Sequence, residues 1–103
     1  MDRIEKLKEF LRTDPNDSFS KHALALEYIK LGDDATARRL FEEVLTADPA
    51  AIGSYYHLGK LLERTGEDKL ALQWYEKGME AAKTAGEKRA FNELRAAYDE
   101  LAF

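Results

Sequence analysis

The stretch that begins at Leu24 returns 34 residues further on. Leu24 falls on Leu58, Ala25 on Gly59, Tyr28 on Leu62, Gly32 on Gly66 and Asp34 on Asp68. Ala37 then falls on Ala71, Phe41 on Tyr75 and Glu42 on Glu76, and Pro15 and Pro49 keep the same interval. The matches are residue types at regular places, in both halves of the unit. A fixed period of this length means that each unit is one supersecondary element whose apolar face cannot be buried alone, so neighbouring units must stack.

Within the period the pattern is helical. Ile4, Leu7, Phe10 and Leu11 place apolar residues on one face of a helix over about Asp2–Arg12, ended by Thr13-Asp14-Pro15, since the residue before a proline avoids the α region. Asn16-Asp17-Ser18 starts a helix to about Leu31, and Gly32-Asp33-Asp34 ends it and begins another over about Ala35–Ala47, because glycine accepts the left-handed cap and Asp the next N-terminus. The second unit repeats this with helices over about Ala51–Thr65 and Lys69–Ala85, joined at Gly66-Glu67-Asp68. Gly59, Ala71 and Gly78 are small where helices would cross. Glycine inside a helix costs about 1 kcal/mol against alanine, so Gly59 and Gly78 are read as packing residues. After Gly86 a last helix over about Glu87–Leu101 carries Phe91, Leu94, Tyr98 and Leu101 on one face.

These residues resemble the tetratricopeptide repeat, a helix–turn–helix unit of 34 residues with Leu and a small residue on its first helix and Ala-x3-aromatic on its second. One copy reads Leu24-Ala25-x-x-Tyr28, Ala37-x3-Phe41, Pro49; the other reads Tyr55-x-x-Leu58-Gly59-x-x-Leu62, Ala71-x3-Tyr75. Lys21 stands where the first copy wants an aromatic, and Lys83 where the second wants its closing proline. Leu7 falls on Phe41 and Leu11 on Leu45 at the same shift, so the first helix reads as an orphan second half. The resemblance implies an all-α, antiparallel helix–turn–helix solenoid of right-handed superhelical type, built as one domain over residues 1–103. Residues 1–15 form an N-terminal half-repeat helix, 18–49 and 52–85 two full repeats, and 87–102 a capping helix. Arg95 occupies a small-residue position on that last helix, which would show water Lys88, Glu93, Arg95 and Glu100.

Composition removes several classes of function. The 103 residues suffice for one core, burying roughly 60–70% of the unfolded surface. The net charge is −4, without the basic stripe of a nucleic-acid reader. There is no cysteine for disulfides or thiolate metal sites. No apolar run approaches the roughly 20 residues of a membrane span, and the charged N-terminus carries no signal-peptide core. The cytoplasm is the default location. His22 and His57 are the only histidines, and no carboxylate stands at ligand spacing from either. No metalloprotease, nucleophile-elbow or phosphate-loop motif occurs. Hence no catalytic, metal or cofactor residue is assigned, and the expected protein is not an enzyme.

A second stripe on the helix over Ser18–Leu31 carries the functional expectation. Phe19, His22, Leu26 and Ile29 advance by 3, 4 and 3, on a different face from Leu24, Ala25 and Tyr28. The resemblance implies that this stripe lines a concave groove where family members take extended or helical peptides. The matching positions are Gly53, Tyr56, Lys60 and Glu63 on the next first-half helix, and about Arg89, Asn92, Ala96 and Asp99 on the last. The expected peptide contacts are Phe19, Leu26, Ile29 and Tyr56, with His22, His57, Lys60, Arg89 and Asn92 supplying polar contacts. The clamp of Lys, Asn and Arg by which chaperone-binding members hold a terminal carboxylate is poorly matched: the first two helices hold His22, Leu26 and His57 at those positions, and the last offers Arg89 but little else. Two readings stay open. The stripe takes a segment of a partner protein, or it is covered by the N-terminal helix or by a second copy, making the chain a monomer or weak homo-oligomer of structural use.

Overall fold

Each helix starts and stops where a few side chains compel it. The computed structural model describes residues 2–103, and among them there are six helices and no strand. They are α1 (Arg3–Thr13), α2 (Ser18–Lys30), α3 (Asp34–Ala47), α4 (Ile52–Arg64), α5 (Asp68–Ala85) and α6 (Lys88–Ala102). Asp2, Asp17 and Asp33 cap the first three, their carboxylates accepting from the amides of Glu5, Ser20 and Thr36 at 2.8, 3.3 and 3.2 Å. Such caps satisfy amides that the helix itself leaves without partners. α3 and α5 begin one residue before Ala35 and Lys69, because the residue directly after the turn glycine, Asp33 or Glu67, takes the cap position.

The turns at Gly32 and Gly66 share one device. Both glycines are left-handed, with φ of 79° and 85°. The amides that follow reach back to close the helix: Asp33 to the Tyr28 carbonyl at 2.9 Å, and Glu67 to the Leu62 carbonyl at 2.8 Å. This is the Schellman ending that glycine adopts without steric cost.

The chain forms two compact units, one ending at Asp48 and one over Pro49–Phe103. In the first, α1 packs on α2 and α2 on α3. Ala25, Ala37 and Phe41 are wholly buried, with Leu24, Val44 and Leu45 nearly so. Two alanines let α2 and α3 approach closely, and Phe41 fills the seam beyond. The first copy's departure at Lys21 is offset locally: Lys21 pairs with Glu43 at 3.4 Å, and the Ser18 hydroxyl donates to Asp48 at 3.4 Å. α1 is held loosely. Arg3 pairs with Glu27 at 3.6 Å, the Lys8 ammonium lies 5.8 Å from the Tyr28 ring centre, and no α1 residue is fully buried. Ile4, Leu7 and Leu11 are half-buried, but Phe10 is 53% exposed. The sequence had grouped it with them, yet at 100° per residue it falls 60° beyond Leu7, past the edge of the packed stripe.

In the second unit α5 packs on both α4 and α6. Leu58, Leu62, Ala71 and Tyr75 are wholly buried, and Tyr55 nearly so. Tyr55 donates its hydroxyl to the Pro49 carbonyl at 2.6 Å, tying the entering chain to α4. Gly59 lies under the Tyr75 ring, and Gly78 under Tyr55. On α6 the buried residues are Leu94 and Ala97, while Phe91, Tyr98 and Leu101 are half-buried beside them. Arg95 is exposed and pairs with Asp99 at 3.8 Å; Lys88, Glu93 and Glu100 are exposed as well.

A methyl group at Gly59 would overlap the Tyr75 ring, which cannot retreat because it is wholly buried and its hydroxyl is bonded to Glu63. At Gly78 it would stand 2.6 Å from Tyr55 Cβ and 3.0 Å from Leu94 Cδ1. Alanine would gain about 1 kcal/mol of helix propensity but meet an overpacking cost of about 1–3 kcal/mol. Gly59→Ala and Gly78→Ala are therefore each expected to lower stability in urea melts. An unchanged or raised midpoint would mean that neither contact is as close as described.

Candidate functional site

The expected contact residues fall in both units, and each unit presents its own set. In the first, Ala23, Leu24 and Ala25 of α2 are buried. The second stripe is graded. His22 sets its ring edge-on to Phe41, centres 5.5 Å apart at 70°, so much of it serves the α2–α3 seam. Leu26 and Ile29 are half-buried. Phe19 is 78% exposed at the start of α2.

Phe19 borders a cleft of about 480 Å³ between α1 and α2, lined by Arg3, Lys6, Leu7, Phe10, Asp17, Phe19 and Ser20. The sequence placed Phe19 in one stripe with His22, Leu26 and Ile29; the structure also gives it Phe10 and Leu7 as neighbours in this cleft. The signal was present, since Phe10 lies off the α1 stripe by its helical angle, but nothing in the sequence paired the two helices at that point.

In the second unit Tyr56, His57 and Lys60 share α4 with a polar cluster. The Lys60 ammonium lies 5.7 Å from the centre of the Tyr56 ring and 3.7 Å from Glu63. Glu63 in turn accepts the Tyr75 hydroxyl. Burial, and then this carboxylate, push the Tyr75 phenol well above its usual range, so it stays a proton donor. The Tyr56 and His57 rings meet edge to face at 5.9 Å. Burial pulls the His57 imidazole below its ordinary 6.5, favouring the neutral ring. Arg89 and Asn92 are exposed on α6. Asn92 borders a larger cleft of about 910 Å³ along the α5–α6 seam, whose floor is Met79, Ala82 and Phe91 and whose rim mixes three glutamates with three lysines.

Among the described residues no group of three or more His, Asp or Glu is placed to hold a metal ion. Among them, too, no helix is long and apolar enough to cross a membrane. What the surfaces provide is aromatic rings, aliphatic side chains and charges of both signs.

Comparison with known proteins agrees with the architecture. The tetratricopeptide repeat family model matches residues 20–50 and 52–84. The tetratricopeptide repeat domain protein of Salinibacter ruber is 38% identical to this chain in its crystal structure, with a TM-score of 0.80 over 84% of this chain and 96% of that one. Its solution structure gives 40% and 0.82, covering 85% and 89%. A crystal structure of MamA shares the fold at 22% identity, with a TM-score of 0.74 over 96% of this chain and 56% of that one. Human aspartyl/asparaginyl beta-hydroxylase is 27% identical over 75 residues, 73% of this chain, which spans only 10% of that enzyme's length. Proteins of this repeat class are in general protein–protein interaction modules. With both copies matched and the helix pairs in place, the chain belongs to the tetratricopeptide repeat family.

Proposed function

We propose that this chain is a non-catalytic module that binds a segment of a partner protein through the faces of its first-half helices, with Phe19, Leu26 and Ile29 on α2 and Tyr56 and Lys60 on α4 as principal contacts. The observation that carries this reading is the contrast around each helix. The pair-facing residues Leu24, Ala25, Leu58 and Leu62 are buried, whereas Leu26, Ile29, Tyr56 and Lys60 keep part of their surface and Phe19 most of it. Apolar and aromatic side chains left partly exposed beside cations are the composition of a recognition surface. His22, His57, Arg89 and Asn92 stand as secondary polar contacts. The likeness to the hydroxylase adds no catalytic reading, since it spans a tenth of that enzyme.

The test pairs wild type with a Leu26→Glu, Tyr56→Ala variant as baits in native lysate. Both positions are half-buried, so each substitution is expected to cost about 1 kcal/mol. Far-ultraviolet dichroism and melting should confirm that the variant is folded. A partner retained by wild type should fall at least about tenfold with the variant, as when interface anchors are lost. Equal retention would remove these faces from consideration, and retention of nothing but the chain itself would favour self-association.

The histidine generates a second expectation. With its folded pKa held below the unfolded 6.5, His57 binds its proton more readily in the unfolded chain. Its contribution is therefore complete above about pH 6.5 and is lost as the pH falls through the folded value. The melting temperature should drop between pH 7.5 and 5, and His57→Gln should flatten that drop. An unaltered slope in the variant would show that another group is responsible.

A further inference from the structure

We infer that Tyr75 is a specificity-determining residue of the α4 face although no partner can touch it: its hydroxyl holds the Glu63 carboxylate, and Glu63 holds the Lys60 ammonium in place beside the Tyr56 ring. The inference rests on the binding reading above and adds to it a positioning residue drawn from the core.

The contacts run outward from the interior. Tyr75 is wholly buried, and its hydroxyl donates to Glu63, whose side chain is 26% exposed. Glu63 also pairs with Lys60 at 3.7 Å, and that ammonium lies 5.7 Å from the centre of the Tyr56 ring. An exposed ion pair three residues apart is too weak to hold two long side chains in one geometry by itself. The bond from the buried hydroxyl is of another kind. Its ring is fixed by packing, and a hydrogen bond to an ionised carboxylate is among the stronger ones. Glu63 is thus held from inside the unit, and Lys60 takes its position from Glu63.

The repeat supplies the comparison. At the same interval Phe41 stands for Tyr75, Ile29 for Glu63 and Leu26 for Lys60. A ring without a hydroxyl goes with an aliphatic neighbour on the first-half helix, and a ring with a hydroxyl goes with a carboxylate. Phe41 is wholly buried and Ile29 half-buried, so the first unit fills its seam without either polar group. Packing alone therefore does not call for the Tyr75 hydroxyl. A buried hydroxyl needs an acceptor, whereas two apolar groups in the same places need nothing. The core aromatic in this way selects what the neighbouring face carries: aliphatic in the first unit, charged in the second.

The experiment is a stability cycle joined to one spectroscopic readout, on the full chain and on Tyr75→Phe, Glu63→Ile and the two together. In urea, Glu63→Ile alone leaves the Tyr75 hydroxyl without its acceptor and should raise the unfolding constant about tenfold. The double variant should recover most of that loss, the mark of coupled residues. The Lys60 methylene next to the nitrogen is displaced in the proton NMR spectrum by the Tyr56 ring. In Tyr75→Phe it should move toward the position of an unstructured lysine, which a purely packing role for Tyr75 would not cause.

Additive effects in the cycle would overturn the inference, as would a Lys60 resonance that stays in place in the folded Tyr75→Phe variant. As bait in lysate, Tyr75→Phe should retain severalfold less of the partner than wild type. If it retains that partner fully while Leu26→Glu, Tyr56→Ala loses it, this inference falls and the wider binding reading stands. If Leu26→Glu, Tyr56→Ala retains all that wild type does, the binding reading falls and takes the specificity role with it.

Discussion

The absence of a β-carbon beneath a buried aromatic ring is the constraint on which the second unit depends. Tyr75 and Tyr55 are large side chains in the narrow space between two antiparallel helices, and each is accommodated because a glycine, Gly59 or Gly78, stands opposite. Dense packing makes such contacts all-or-none: a close-packed interior has little room to absorb an added methyl. The first unit meets the same need less strictly. Ala25 and Ala37 hold its crossing, both wholly buried, with Phe41 beyond them. The helix-propensity cost of two internal glycines is thus offset by the rings they admit.

That close pairing also determines what is left outside. Once α4 is clamped against α5 through Tyr55, Leu58, Gly59 and Leu62, the helical period leaves Tyr56, Lys60 and Glu63 on another side of the same helix. There Tyr75 contributes again. Its ring belongs to the core, but its hydroxyl emerges to meet Glu63, which also pairs with Lys60 near the Tyr56 ring. One side chain therefore links the packed interior to the polar cluster on α4 and fixes the position of that cluster without needing a loop to do so.

The sequence revealed most of the scaffold because its signals are local or periodic. The turn glycines, the aspartate caps and the small-residue crossings each leave a mark within a few positions, and the period repeats most of them. Helix limits came within a residue or two for the same reason. The surfaces were less legible. Assigning Phe10 to the α1 stripe followed spacing, but burial depends on where a neighbouring helix stops covering it. Pairing Phe10 with Phe19 requires knowing how α1 crosses α2, which no short-range pattern encodes. The burial of His57 was equally hidden, since histidine is at home on a surface and in a core alike.

A repeat protein separates scaffold from specificity by which positions keep the period. Leu24 and Leu58, Ala37 and Ala71, and Phe41 and Tyr75 keep their type because both units need the same crossing. Phe19 and Gly53, His22 and Tyr56, Leu26 and Lys60, and Ile29 and Glu63 stand at the same interval and differ in size, polarity or charge. Packing explains part of that divergence, since Glu63 accepts the hydroxyl that Tyr75 has and Phe41 lacks, and His22 sets its ring against Phe41; Phe19, Leu26, Tyr56 and Lys60 keep exposure while the crossings around them are sealed. Sites free of the crossing can vary at small cost in stability, so a binding preference can change there while the core stays fixed. On the proposed reading, Phe19, Leu26 and Ile29 on α2 are where the first unit's preference for its partner resides.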